Sequence, residues 1–438
     1  MNQNYEIFKG ELIHLYKSPF KIFSIIIFIV AIVYGCYNGY NLFVSHTAEI
    51  ESIMAENNES ILKNIKIYDD IEQGTIDKPR RDPSSPYWAI WNVPSSVFKY
   101  PFPMMVFSLG QSEQYGYHKK VSNWSTTFDG DLIEEIANPE RLAIGTLDFN
   151  FVLLYLTPML IIILLFNVGG LEKDLNFENF ILLNNISKRK WLLLRYSFYF
   201  LAINTLVFIS IIPYILLSGL LQISFIKFAK FSIIILVYSL IWFILFYFIN
   251  LYSSGSSDTS LKMISIWLLL CIIIPGAVHQ ISVFKFPNKY MVDYLDTSRE
   301  KTYAIFDLPF DSLKLSLLDE FPNLNSTVYA TDTTLNERVI NRSISGLANI
   351  LNKKVAKEIE ARNEERNQFI STLFFLNPII FFQNRINQLA ETDYYSYKNF
   401  RKEIQITIDK KITLILKSIW NKERIDKKKY IQYTKLFN

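Results

Sequence analysis

Few residue types in this chain could do chemistry, and they are poorly placed for it. Two pairs of adjacent carboxylates, Asp69-Asp70 and Glu134-Glu135, have the right type to supply the acid and base of a hydrolase. Neighbouring acids in a polar stretch serve far more often as solvated surface, and both pairs are read that way. The four histidines, His14, His46, His118 and His279, are scattered. None has the paired spacing of a zinc site, so no metal is expected. Cys36 and Cys271 both fall inside long apolar runs, which excludes a disulfide stapling a polar domain. The sequence contains no G-x-S-x-G, no H-E-x-x-H and no G-x-x-x-x-G-K-S/T. An enzymatic reading therefore finds no nucleophile, base or metal set.

The apolar runs explain why. Of 438 residues half are hydrophobic, 35 of them Phe and 26 Tyr, and they are gathered in blocks. Residues 22–44, 149–171, about 196–226, 231–252 and 263–284 carry no charge in their interiors. Each is about 20 residues or longer, enough to cross a hydrocarbon layer of roughly 30 Å as a helix. The expected fold is thus an α-helical polytopic membrane protein with about five transmembrane helices and two extracytoplasmic α or α/β domains, at 45–148 and 285–438. Ion-driven transporters generally keep ionisable groups within the bilayer. These runs hold none, which argues against a proton-coupled or sodium-coupled pump.

Basic residues set the orientation. Lys9, Lys17 and Lys21 precede the first run, and Lys188, Arg189, Lys190 and Arg195 follow the second. The positive-inside rule puts both flanks in the cytoplasm. Lys227 and Lys230 fall on the other side under this scheme. Within 285–438, Thr334 and Glu337 have capping-box spacing. Leu335, Val339, Leu347, Ile350, Leu351, Val355 and Ile359 then recur at helical intervals, so a long amphipathic helix is expected. The run "FISTLFFLNPIIFF" at 369–382 is too short for an ordinary span. It reads as a helix lying flat on the membrane surface, the alternative being a short sixth span, with Pro378 opening a new helix.

One charged segment interrupts the apolar region. "LEKDLNFENFILLNNISKRKW" at 171–191 begins with Glu172, Lys173 and Asp174 and ends in a basic cluster. Acids first and bases last suit a helix dipole. The segment is read either as a short helix on the inner membrane face offered to a soluble partner or as a solvated turn with basic anchors.

Several stretches, in order, resemble the permease subunits of ABC-2-type transporters, in the subgroup with a large extracytoplasmic insertion between the first two spans. They are "FSLGQSEQYGYHKKVS" at 107–122, with Gly110, Gln111 and Ser112; "NPERLAIGTLDFNFVLLYLTPMLIIILLFN" at 138–167, with Asn138-Pro139, Gly145, Asp148 and Pro158; "EKDLNFENFILLNNISKRKWLLLR" at 172–195; and "LNPIIFFQNRINQLAETD" at 376–393. The resemblance implies that 1–21 is a cytoplasmic amphipathic elbow helix, with Phe8, Leu12, Leu15 and Tyr16 on one face. It implies that about 171–186 is a coupling helix docking on a separate ATPase subunit through Glu172, Lys173, Asp174, Asn176, Phe177 and Glu178. ATP and Mg would bind that partner, and this chain would hold no cofactor of its own. A second permease subunit (identical or not), surrounding lipid and envelope proteins are the other implied partners, with no nucleic acid. The implied setting is a bacterial inner membrane and the implied role export. Asn176-Phe177 stands where the family has Gly-Thr, and Asn185 where it has Pro. The family also closes with a further span, where this chain has "KKKYIQYTKLFN"; the last helix is either absent or supplied by another subunit. Glu172→Lys is expected to leave the protein in the membrane and to uncouple the ATPase from transport. The competing reading is a membrane-anchored scaffold or sensor that binds envelope proteins without moving anything.

Overall fold

A computed structural model describes residues 3–77, 79–131, 147–177, 187–287, 300–332 and 336–437. The chain is mostly helical, at 78%. Among the described residues the only sheet pairs β1 (Ser96–Phe98) with β2 (His118–Lys120) antiparallel. That settles the class as α.

Helix α1, Gln3–Lys17, stops before Pro19. A residue preceding proline is pushed out of the helical region, and Ser18 sits at φ −101°, ψ 98°. Pro19 then opens α2, Pro19–Glu72, whose 54 residues run far beyond the apolar stretch ending at 44. At 1.5 Å per residue α2 is about 80 Å long, so it joins the apolar bundle to the polar half of the protein. Helix α3 follows at Pro86–Trp91.

The second apolar run is α4, Phe149–Asp174. Its residues Val152–Leu156 form a π-helical turn ahead of Pro158. Proline lacks the N–H that would bond the carbonyl four residues back. The freed Leu154 carbonyl instead accepts from the Tyr238 hydroxyl, and the Tyr155 carbonyl accepts from Trp267 Nε1 at 3.2 Å. Helices α5 (Lys188–Leu217), α6 (Leu220–Tyr252) and α7 (Ser256–Lys285) complete the apolar set. The chain turns at Gly219 with φ +68° and breaks again at Ser224, whose φ −157° and ψ 86° are not helical, so the long part of the fourth helix starts close to the sequence boundary at about 226.

These five helices are long and apolar enough to cross a membrane. Only α4 is mostly covered, with 61% of its most apolar window buried against 17–33% for the other four. It is the central helix, and its neighbours leave large side chains such as Val30, Ile209 and Ile233 outward. Apolar faces of that extent suit a lipid surround rather than water.

The polar half contains α8 (Phe310–Glu320), α9 (Glu337–Thr372), α10 (Pro378–Ala390), α11 (Tyr394–Trp420) and α12 (Lys427–Phe437). Two domains were expected here. Instead Tyr68, Ile90, Val93, Val97 and Val121 share one core with Leu317, Ile344, Ile408, Ile415 and Trp420. The part of the segment between α2 and α4 that packs here is completed by α8, α9 and α11.

Two local expectations also change. Helix α9 is capped by Asn336, whose side chain accepts from the Arg338 and Val339 amides, in place of a Thr334–Glu337 box; Thr334 and Leu335 lie outside the described residues. Helix α10 does begin at Pro378 behind an Asn377 cap. Its apolar face, however, goes into the bundle core through Ile379, Phe382, Ile386 and Ala390, rather than being kept for a lipid surface.

Candidate functional site

Three elements converge where α4 ends. Gly169 adopts φ +82°, and a Cβ on Gly170 would come within 2.8 Å of the Ser256 Cα. Two successive glycines are what let the end of α4 press against the start of α7. The chain then presents Glu172, Lys173 and Asp174 in one short turn, and each side chain is spoken for. Glu172 Oε1 lies 2.5 Å from Arg195 Nη1, on the first turns of α5. Arg195 Nε donates to Glu11 of α1. Lys173 donates to the Asn250 and Ser253 carbonyls at the end of α6, and Asp174 accepts from the Ser256 amide at 3.1 Å.

Arg195 is therefore a joint. Its side chain is 8% exposed, the Trp191 ring lies 4.6 Å from its guanidinium, and its two carboxylate partners come from different helices. Taking one charge from such a group would strand the others in a poorly solvated place. Beside it, Lys21 at the start of α2 donates to the Leu164 carbonyl at 2.9 Å and to the Tyr199 hydroxyl at 3.3 Å. Asn250 Nδ2 donates to the carbonyls of Leu165 and Val168, securing the loosened turn before Gly169. One short turn is thus fastened to α1, α5, α6 and α7.

The residues singled out from sequence divide accordingly. Glu172 and Lys173 are half-buried and turned to the protein itself, whereas Asp174 is exposed and holds the Ser256 amide at the surface. Glu172→Lys would set an ammonium against the Arg195 guanidinium, so it tests the joint and not a docking face. The outward surface of the turn carries Leu171, Leu175 and Phe177, 41%, 55% and 54% exposed, beside exposed Asp174 and Asn176. Asn176 stands at φ +57°, a left-handed conformation that glycine adopts freely and asparagine tolerates best among the others. Glu178 and the rest of 178–186 lie outside the described residues, as does Glu134-Glu135. Of the α1 residues expected on one apolar face, Phe8 and Leu15 are half-buried against the bundle while Leu12 and Tyr16 are exposed, and Glu11 is buried.

The opposite end of the bundle gathers the other motif residues. Gly110 has φ +49°, and a Cβ there would meet the Thr392 carbonyl oxygen at 2.5 Å. That space is needed because the Gln111 amide donates to the same carbonyl at 2.8 Å. Ser112 donates to the Leu109 carbonyl, and Asp148 accepts the Leu109 amide at 3.0 Å. Thr392 Oγ1 donates to the Ser108 carbonyl at 3.0 Å, and Ser108 Oγ meets the Asn387 and Asn150 side chains. Three stretches distant in sequence (107–112, 148–150 and 387–392) therefore form one buried polar knot. Lys227, misplaced by charge counting alone, pairs with Glu391 at 2.6 Å beside this knot.

Arg195 was read only as one of the basic residues that set orientation, and Ser108, Asn150 and Asn387 lay unremarked within the motif stretches; Glu11 carried no sequence signal. Asp69 of the first acidic pair binds Lys427 at 2.6 Å. His46 is buried and stacks on Tyr117 at 3.5 Å. Among the described residues no three His, Cys, Asp or Glu side chains are gathered as a metal site.

Residues 295–435, from before α8 into α12, match the family model described as Domain of unknown function (DUF3526). No curated protein and no solved structure matches the chain significantly. The knot around Thr392 is where this matched region meets the Gly110 segment. The chain thus joins a DUF3526 domain, which is found in ABC-2-type permease-like proteins, to five helices long and apolar enough to cross a membrane.

Proposed function

We propose that this protein is the transmembrane permease subunit of an ATP-driven ABC-2-type transporter, working as an exporter with a separate ATPase subunit. The observation that carries the reading is the Arg195 joint. A soluble motor pressing on the exposed turn at 171–177 would not move a loose loop. Through Glu172, Arg195 and Glu11 it would move α5 and α1, and through Lys173 and Asp174 the α6–α7 junction. A small push at one site becomes a rearrangement of packed helices, the usual form of such transitions.

The chain contains no phosphate-cradling G-x-x-x-x-G-K-S/T sequence, so ATP and Mg belong to the partner. In this reading the joint faces the cytoplasm and the polar half faces away from it, in a bacterial inner membrane. The exposed flanks of α5, α6 and α7 meet lipid and a second permease subunit. Affinity purification of the tagged protein from membranes tests the assignment. An ATPase carrying Walker motifs should co-purify, and its loss on Phe177→Asp should leave the permease folded. A scaffold that moves nothing would purify without such an ATPase.

A further inference from the structure

Helices α5 and α6 leave a groove between them on the outside of the apolar bundle, with a volume of about 360 Å³. Tyr196 and Phe243 form its floor, both buried, their rings edge to face at 6.2 Å. Leu193 and Ser197 of α5 stand on one side, and Leu240, Ile244 and Phe248 of α6 on the other. The four apolar wall residues are each about half exposed, so the groove is open to whatever surrounds the bundle. Along α5 it runs from Leu193 to Phe200, which is about 10 Å of helix. A trough of that length, at the low end of the roughly 300–1,000 Å³ of small-molecule pockets, takes one extended hydrocarbon chain lengthwise.

One end of the groove is basic. Arg189 and Lys190 stand four and three residues before Leu193 on α5, the spacings that share a helix face. Both are exposed, and neither makes an ion pair among the described residues. Tyr247, which lines the groove from α6, donates its hydroxyl to the Arg189 carbonyl at 3.2 Å. The mouth of the groove and the basic turn therefore lie at one level. Long basic side chains at the end of a spanning helix carry their charge to headgroup depth. An apolar helix laid in the groove would leave both cations unanswered, and a zwitterionic phospholipid would bring a cation of its own beside them. An anionic phospholipid matches both features, with a hydrocarbon chain for the groove and a net negative headgroup for the basic turn.

We infer that the α5–α6 groove retains one anionic phospholipid, an acyl chain lying between Leu193 and Phe200 and the phosphate held by Arg189 and Lys190. The site shares no lining residue with the Arg195 joint and needs no ATPase partner, so its failure would leave the exporter reading untouched.

Native mass spectrometry of the delipidated full-length protein in detergent tests this, by titration with dioleoyl phosphatidylglycerol, dioleoyl phosphatidylcholine and glycerol phosphate. Phosphatidylglycerol should fill one site per chain and bind at least about tenfold tighter than phosphatidylcholine. Glycerol phosphate should not displace it. Arg189→Gln combined with Lys190→Gln should abolish the preference. Ser197→Phe fills the groove without altering charge and should weaken phosphatidylglycerol binding at least about tenfold. The Ser197 hydroxyl bonds only within its own helix, to the Leu193 carbonyl at 2.8 Å, so its loss should spare the fold. If either variant fails to fold, the other decides. The inference is overturned if the two lipids bind alike, which would make the groove ordinary lipid-facing surface, or if glycerol phosphate displaces the lipid, which would leave an anion site without a groove. It is also overturned if a folded variant binds phosphatidylglycerol as tightly as the parent, or if the protein dimerises through this face and excludes the lipid.

Discussion

Arg195 and Glu172 meet at 2.5 Å across the gap between the second and third apolar helices. Glu11 completes the group from the N-terminal helix, so α1 and α5 are both bound to the end of the central α4. Because all three charges are largely withdrawn from water, removing one is expected to be far worse than removing the set. Arg195→Met should lower stability by about 3–5 kcal/mol, the usual cost of stranding buried charge. Combining it with Glu11→Gln and Glu172→Gln should recover part of that loss. Thermal unfolding of the purified protein in detergent reads both effects, and equal melting temperatures for parent and Arg195→Met would refute the joint.

Gly110 and Gly74 make a matched pair. Both have positive φ, but a side chain at Gly74 would meet nothing within 4 Å, whereas one at Gly110 would meet Thr392. Gly74→Ala should therefore cost only the left-handed strain, about 1–2 kcal/mol. Gly110→Ala should cost more, since it also prises 109–112 from 392. The difference between the two melting temperatures measures that close approach.

Tyr238→Phe should destabilise by about 1–3 kcal/mol, since it leaves the Leu154 carbonyl without a donor in the middle of the bundle. Pro158→Ala restores a backbone N–H at that carbonyl and is expected to relieve the effect of Tyr238→Phe. A double-mutant cycle showing no coupling between the two positions would contradict the pairing.

Lys411 is fully buried in the polar half and donates to the carbonyls of Val93 and Val121 and to Ser95 Oγ, at 2.9–3.0 Å. Burial pushes its pKa from 10.5 down to about 7, and the Lys120 charge adds slightly to the fall. Below pH 7 folded and unfolded chains both carry the proton. Between about 7 and 10.5 only the unfolded chain still holds it, so the unfolded state binds more protons and stability rises with pH there. Lys411→Met should lack that part of the rise. Unfolding midpoints of the two proteins measured from pH 6.5 to 10 check the slope.

Much of the architecture was legible because it rests on run length. Five uncharged stretches gave five long helices, and Pro19, Gly219 and Pro378 punctuate the chain as their backbone restrictions require. Less legible was whatever depends on partners distant in sequence. Nothing local announces that Tyr238 will answer for Pro158, or that Ser108 will meet Asn387. The two polar segments were read as separate domains because a shared core leaves no mark in either half. The charged turn was the sharpest case. Sequence singled out Glu172, Lys173 and Asp174 as conspicuous charges in a greasy neighbourhood, and the same greasiness is why Glu172 and Lys173 turn inward while Asp174 holds a neighbouring backbone amide at the surface. The exposed apolar side chains of the turn are Leu171, Leu175 and Phe177; Phe177 was among the expected contacts, whereas Leu171 and Leu175 drew no attention because they look like their surroundings.

The most direct test of the central proposal is ATP hydrolysis by the co-purified ATPase in proteoliposomes, with the permease carrying Leu175→Asp and Phe177→Asp together. Both side chains are more than half exposed, so folding should be unaffected. A motor docked on this turn should lose its permease-dependent ATPase activity, and the complex should fall apart on size exclusion. An intact complex with undiminished coupled hydrolysis would contradict the account.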